Sequence, residues 1–528
     1  MRNKGAKSLK LLVAIFLTIT VILPLTTLLL NIKVADIHDI VSSPQFWPMV
    51  ANSLVATITA TIISVSLAMV LAWCMNRTKM RYRSIFSVLF TLPMLIPSIS
   101  HGMGLVLLFG DNGLLTNLLG INIHLYGMVG IVIGSILYSF PVAFLMLTDI
   151  FRYEDYTTYE ASSVLGLNKF QQFMTITLPN MKKPLISVIF ATFTMIFTDY
   201  GVPLAVGGKM MTLPVYMYRE VIGLLDFSKG AIIGVLLLIP AVIAFILDLK
   251  NEDGGNASTV TKEYIIKKNK KRDIFSYIFC ISTVILVSLP ILAFIYLSVV
   301  KQYPIDMSFS LINIQKAFEL GVGMHLISSL AIAMLTALIG ICITYFTAYL
   351  TARSKKTFSN MTLHLISMVS LAIPGVVLGL SYVLFFKGSI LYGTIMMLVL
   401  VNIIHFFASP YLLAYNSLSK FNENLEDVSA TLGISKMRML FDVYIPCTKE
   451  TMIEIFSYMF VNAMVTISAV SFLANFKNMP LALLIPQFDS QSLIEATAFI
   501  SIIILVINSL MKAFIFILKR NIRKQEVL

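Results

Sequence analysis

The chain has 528 residues, 58% hydrophobic and 12% charged, with a formal net charge of +13. A soluble domain carries about 25% charged residues, so this composition excludes a water-soluble protein and implies an integral membrane protein. The basic excess does not indicate nucleic-acid binding. Its Lys and Arg stand in short loops between apolar segments, as the positive-inside bias requires, and no soluble basic domain exists to carry that function.

A membrane-spanning helix needs about 20 apolar residues. Twelve stretches qualify: 9–31, 49–75, 84–110, 125–151, 183–206 and 229–249, then 274–300, 325–352, 360–386, 391–416, 451–474 and 493–518. The first follows Arg2, Lys4, Lys7 and Lys10. Its apolar run from Leu11 to Leu30 is too long for a typical signal-peptide core, so a retained membrane helix is expected. Asp36, His38 and Asp39 then fall in a loop. Arg77, Lys79, Arg81 and Arg83 follow the second stretch, Lys250 to Arg272 the sixth, and Arg353, Lys355 and Lys356 the eighth; Lys519, Arg520, Arg523 and Lys524 end the chain. All fall on the side of the basic N-terminus, so both termini are expected in the cytoplasm. Residues 251–273, with Glu252-Asp253-Gly254-Gly255 and then a basic run, read as a flexible cytoplasmic linker. The sequon at Asn256 lies within it and is discounted on that ground. The linker separates two six-helix units, 1–250 and 274–528. Cys74, Cys280, Cys342 and Cys447 are scattered without metal spacing and read as reduced packing residues.

The halves echo each other at an offset of 267 residues. Glu160, Ala161, Gly166, Ile176, Leu178 and Pro179 return as Asp427, Val428, Gly433, Val443, Ile445 and Pro446. Outside these polar segments, Leu95-Ile96-Pro97 with Gly102 matches Ala372-Ile373-Pro374 with Gly379, Arg77 matches Arg353, and Phe140-Pro141 matches Ser409-Pro410. These prolines read as hinges or as plain packing features of membrane helices. In the first polar segment a short helix is expected over 155–165, with Ala161, Val164 and Leu165 as its apolar stripe. Gly166 would then turn the chain at positive φ. A second short helix over 168–175 would end near Pro179. Such an elbow on the membrane surface is either a docking knob for a soluble partner or a cap on the helix bundle.

The two segments resemble the E-A-A loop, E-A-A-x-x-x-G-x9-I-x-L-P, of permease subunits in binding-protein-dependent ABC importers. The first copy departs from it at Ser162. The second has Asp427, Val428 and Ser429 in place of Glu-Ala-Ala, and Ile445 in place of Leu. The resemblance covers essentially the whole chain and implies an all-α membrane protein of the type I importer kind, with two fused, parallel six-helix permease units. It implies that the short helix before each glycine is a coupling helix docking on an ATPase. Glu160, Ala161, Gly166 and Pro179, with Asp427, Gly433 and Pro446, would form that contact and its elbow. No G-x-x-x-x-G-K-[ST] occurs, since Gly207-Gly208-Lys209 runs into Met210, so ATP hydrolysis must come from another chain. The partners implied are a dimeric cytoplasmic ATPase and an extracytoplasmic solute-binding protein at a bacterial inner membrane. No cofactor or resident metal is expected.

Ionisable and polar groups in membrane segments are pathway candidates. Asp199 and Tyr200 near the end of the fifth stretch, and Thr466 and Ser468 near the end of the eleventh, either face a central path or bond within the bundle. His101 and His405 read as packed histidines. Fused double permeases of this look occur among ferric iron, thiamine and phosphonate importers. Asp199-Tyr200-Gly201-Val202-Pro203 and the stretch from Met464 to Leu473 resemble the 2-aminoethylphosphonate type, which makes that substrate the first expectation and ferric iron or thiamine the alternative. A twelve-helix secondary transporter is the reading of a different class; it gives the twin elbows no role.

Overall fold

Buried in lipid, a backbone satisfies its own hydrogen bonds only as a helix or a closed barrel, and the computed structural model is built almost wholly of helices. It describes residues 4–120, 124–152, 154–252, 262, 264–266, 268–354, 357–422 and 424–527. Asp253, the glycines after it, the Asn256 sequon, Lys267, Lys355 and Lys356 lie outside these residues.

Among the described residues, eight single helices are long and apolar enough to cross a membrane, and two bent pairs bring the number to ten. The two expected stretches without such a span are the fifth of each half. There the helices run Leu178–Phe197 and Lys449–Val465 and stop before the predicted ends. Lys182 and Lys183 in one, and Lys449, Glu450 and Glu454 in the other, charge their early turns and shorten the apolar run. The third stretch is also broken. Ile96 is extended at ψ 153° before Pro97, and a new helix, Ser98–Phe109, starts after it. Its counterpart bends by 110° between Phe358–Ala372 and Gly375–Phe386, with Ile373 at ψ 111° before Pro374. A proline forces the preceding residue out of the helical region, which explains both breaks. Pro141, by contrast, lies inside an unbroken helix, Met128–Arg152.

Two compact units form, and each draws on both halves of the sequence. One comprises Met1–Ile40, Met217–Leu238 and Ile314–Leu528, the other Val41–Tyr216 and Ile239–Asn313. In the former, the Tyr382 hydroxyl donates to the Thr20 carbonyl at 2.8 Å, and the Lys33 N–H donates to Ser228 Oγ at 3.0 Å. In the latter, Pro290 packs against Gly104 so closely that a Cβ there would stand 2.6 Å from the proline Cβ. Asp36, His38 and Asp39, expected in a loop, lie in a helix, Val34–Ser42. A small antiparallel hairpin, Val300–Gln302 with Asp306–Phe309, has no counterpart in the hydrophobic pattern.

Within each unit, the segment after the fifth-type helix packs on a glycine that follows the Ile-Pro break. A Cβ on Gly102 would stand 2.8 Å from Ala205 Cβ, and one on Gly379 would stand 2.6 Å from the Ala469 carbonyl oxygen. Backbone cannot yield as a side chain can. Gly379→Val is therefore expected to destabilise the detergent-solubilised protein by about 1–3 kcal/mol or more, read as a lowered thermal unfolding midpoint. An unchanged midpoint would show that this packing is looser than the geometry implies.

Candidate functional site: two elbows and their clamps

The first elbow opens with the helix Thr157–Val164. Gly166 follows at φ 78°, with its N–H donating to the Ser163 carbonyl at 3.1 Å and the Leu167 N–H to the Ser162 carbonyl at 3.1 Å. Asn168 then caps the next helix: its Oδ1 accepts from the Gln171 N–H, and Gln171 Oε1 accepts from the Asn168 N–H, each at 2.9 Å. The second elbow repeats this plan with Asn424–Thr431, Gly433 at φ 76°, and Ser435 Oγ accepting from the Arg438 N–H at 3.2 Å. The chain does not stop at the prolines, as the sequence pattern suggested. Each short second helix widens into a π turn, Phe173–Thr177 or Leu440–Tyr444, and continues helically through Pro179 or Pro446. A proline has no N–H and crowds the carbonyl four residues back; a π turn directly before it accommodates that mismatch.

Glu160 and Ala161 lie exposed on the first short helix, and Asp427 lies exposed on the second. Their neighbours leave apolar side chains uncovered. Val164, Leu165 and Phe170 are 88%, 78% and 67% exposed on the first elbow, and Leu432 and Phe441 are 68% and 53% exposed on the second.

Each elbow is fastened to the end of a long helix by an Arg–Glu–Tyr clamp. Arg77 ends the helix Phe46–Arg77, and its Nη2 pairs with Glu154 Oε2, the two side chains being only 7% and 5% exposed. The Tyr159 hydroxyl donates to the same Glu154 oxygen at 3.0 Å and lies 2.6 Å from Thr177 Oγ1. Burial pushes the Tyr159 phenol well above its ordinary range, so it keeps its proton and remains a donor. In the second elbow Arg353 follows the helix Val322–Ala352. Its Nε donates to Glu426 Oε1 at 2.7 Å, its Nη2 pairs with Glu426 Oε2, and its remaining N–H groups reach the Phe421 and Asn422 carbonyls at 2.9 Å each. The Tyr444 hydroxyl donates to Glu426 Oε1 at 2.6 Å. Tyr349 on the same long helix donates to the Lys436 carbonyl at 2.9 Å.

The two clamps share chemistry but not positions. At the 267-residue offset, Tyr159 corresponds to Glu426, Thr177 to Tyr444, and Glu154 to Phe421. Sequence reasoning paired Arg77 with Arg353 and missed the glutamates, because neither aligns with another acid. The usable signal was an acidic pair at or just before the start of each elbow helix, Glu154-Asp155 and Glu426-Asp427, together with an arginine after an earlier long apolar stretch, Arg77 and Arg353.

The pathway candidates fall in separate units: Asp199 and Tyr200 in one, Thr466 and Ser468 in the other. Asp199 is buried in the turn after Phe197. Its Oδ2 accepts the Val202 N–H at 2.9 Å, and it also hydrogen-bonds with the Ser98 side chain, so it joins the starts of two helices. It also lines a small cavity with the hydroxyl-bearing Ser53, Thr57, Ser135 and Thr212. Tyr200 is fully buried. Thr466 ends its helix in an extended conformation, and Ser468 packs against Gly375 beside His405. His101 is buried with Nδ1 3.3 Å from the Ser98 carbonyl oxygen.

The family described as the binding-protein-dependent transport system inner membrane component matches this chain twice, over residues 61–250 and 340–524. The chain belongs to that family. The permease is 26% identical over 428 residues to the ferric transport system permease protein FbpB of Actinobacillus pleuropneumoniae, covering 76% of this chain and 61% of that one. It is 26% identical over 451 residues to a putative ferric transport system permease protein FbpB of Haemophilus influenzae, covering 80% of this chain and 70% of the relative. The chain thus spans about three-fifths of the first relative's length. The sulfate transport system permease protein CysT of Salmonella typhimurium is 24% identical over 201 residues, covering 37% of this chain and 73% of the relative. The permease is therefore a multi-pass, all-α inner-membrane transport component with two copies of one permease domain, of the fused double type.

Proposed function

We propose that this permease forms the translocation path of an ATP-driven importer, with both termini cytoplasmic and the two elbows docking a pair of separate ATPase subunits. A solute-binding protein delivers the cargo on the opposite face. The carrying observation is the recurrence of a helix–glycine–helix elbow in each half, each with an uncovered apolar face and an arginine clamp behind it. A rigid knob tied to a membrane helix can transmit a push; a mere bundle cap would bury its apolar side chains. A secondary transporter leaves the clamps and the open faces without a purpose.

The cargo supported best is ferric iron, because the relatives that match along both halves are named ferric transport permeases. Asp199 is the pathway group this reading favours, because the small cavity it shares with Ser53, Thr57, Ser135 and Thr212 offers oxygen atoms of the kind an oxygen-seeking cation takes. The phosphonate reading keeps one observation in its favour, the 199–203 and 464–473 stretches. Uptake of radiolabelled ferric iron by a deletion strain, with and without the permease gene restored, tests the assignment. Uptake restored only with the gene supports iron. Unchanged iron uptake together with lost growth on 2-aminoethylphosphonate as sole phosphorus source would replace it with the phosphonate reading.

A further inference from the structure

Among the described residues, the clamp at the first elbow contains a component that the second lacks. Arg77 is stacked over the ring of Tyr264, 3.7 Å from its centroid, and Tyr264 comes from the segment between the two halves of the sequence. The same ring meets Tyr156 and Tyr159 edge-on at 5.2 and 5.1 Å. Two residues earlier, the Lys262 carbonyl accepts the Tyr156 N–H at 3.0 Å, and Lys262 Nζ pairs with Glu160 Oε1. Four contacts thus tie these two residues to the start of the first coupling helix, and a fifth ties them to Arg77. Val164, Leu165 and Phe170 stay uncovered, so Lys262 and Tyr264 brace the elbow without occupying its apolar face. At the second elbow the arginine is stacked from within: Arg353 lies over Tyr444 at 5.3 Å, and Tyr444 belongs to the elbow's own π turn.

We propose that Lys262 and Tyr264 form a strap that positions the first elbow for its ATPase subunit, so that binding at this elbow alone depends on the chain linking the two halves. The proposal rests on the docking role of the elbows given above. Tyr264 is the main positioning residue, because a guanidinium held against a ring and removed from water interacts more strongly than an exposed pair. The Lys262–Glu160 pair is 42% and 45% exposed and contributes less. A linker read from composition as a solvated spacer becomes, at these two residues, part of the coupling device.

The test uses the full chain co-expressed with its ATPase and reads the amount of ATPase retained on the tagged permease. Gly433→Val leaves the first elbow as the working site; Gly166→Val leaves the second. Tyr264→Ala is expected to weaken retention roughly tenfold in the Gly433→Val background, the scale of one desolvated cation–π contact. It should change nothing in the Gly166→Val background. Tyr264→Phe, which keeps the ring, should restore retention. Equal weakening in both backgrounds would assign Tyr264 a general folding role and overturn the strap; no weakening in the first would overturn it as well. Wild-type retention by the chain carrying both valines would instead refute docking at the elbows, and with it the premise of the strap.

Discussion

Valine in place of both Gly166 and Gly433 is expected to abolish ATP-driven uptake, and each single replacement should reduce it at least tenfold. Both glycines turn the chain at positive φ, 78° and 76°. No heavy atom lies within 4 Å of the place a Cβ would take on Gly166, so the penalty there is conformational and not steric crowding by neighbours. An L-residue in this region costs about 1–2 kcal/mol, which converts to roughly a five- to thirtyfold shift away from the elbow conformation. A β-branched residue costs more, and asparagine costs less because it tolerates this region. The series Gly, Asn, Ala, Val at position 166 should therefore give steadily falling transport and ATPase retention while the helix content by circular dichroism stays constant. Asparagine as damaging as valine would show that the missing side chain, and not the backbone turn, is what the elbow needs.

Those turns could be read from the sequence because glycine at a fixed distance from an acid and a proline, repeated once, leaves few alternatives. The membrane class could be read for a similar reason: composition alone decides it. Which helices pack together could not. Residues 1–40 join a unit with 314–528, yet nothing in Leu11–Leu30 distinguishes its partners from any other apolar helix. Burial of apolar surface has no direction; the specificity lies in single contacts, such as the Tyr382 hydroxyl on the Thr20 carbonyl or Pro290 against Gly104. The ends of the fifth-type helices were hidden likewise, since Val202 and Val206 continue the hydrophobic run after the helix has broken at Thr198. The π turns before Pro179 and Pro446 have no compositional mark. The acids that hold the elbows were missed because the duplication was read position by position, while the two halves keep the interaction and move the residues.

Removing the arginine of a clamp should cost more stability than removing the arginine and its glutamate together. Arg353 is 3% exposed and supplies Glu426 with two N–H donors, while two backbone carbonyls depend on its other N–H groups. Arg353→Met leaves the half-buried Glu426 carboxylate, 28% exposed, without its partner and the Phe421 and Asn422 carbonyls without their donors, a loss of about 1–3 kcal/mol. The second elbow should loosen, seen as faster amide hydrogen exchange over 424–447, and transport should fall by two orders of magnitude or more. Arg353→Met combined with Glu426→Leu replaces the pair by packed apolar groups and should recover most of the lost stability, as such replacements are often neutral. It should not recover transport, because the fork that fixes the elbow's angle to the long helix is gone. Recovery of both together would reduce the clamp to a packing feature. The displaced register of the two clamps gives a sharper test. Glu154→Phe, Tyr159→Glu and Thr177→Tyr, introduced together, write the second clamp's residues into the first elbow at the 267-residue equivalents. Arg77 would then face a glutamate one residue before Glu160, as Arg353 faces Glu426 one residue before Asp427. If the interaction is what the halves retain, the triple variant should fold and transport, while Glu154→Phe alone should fail with Arg77 left unpaired.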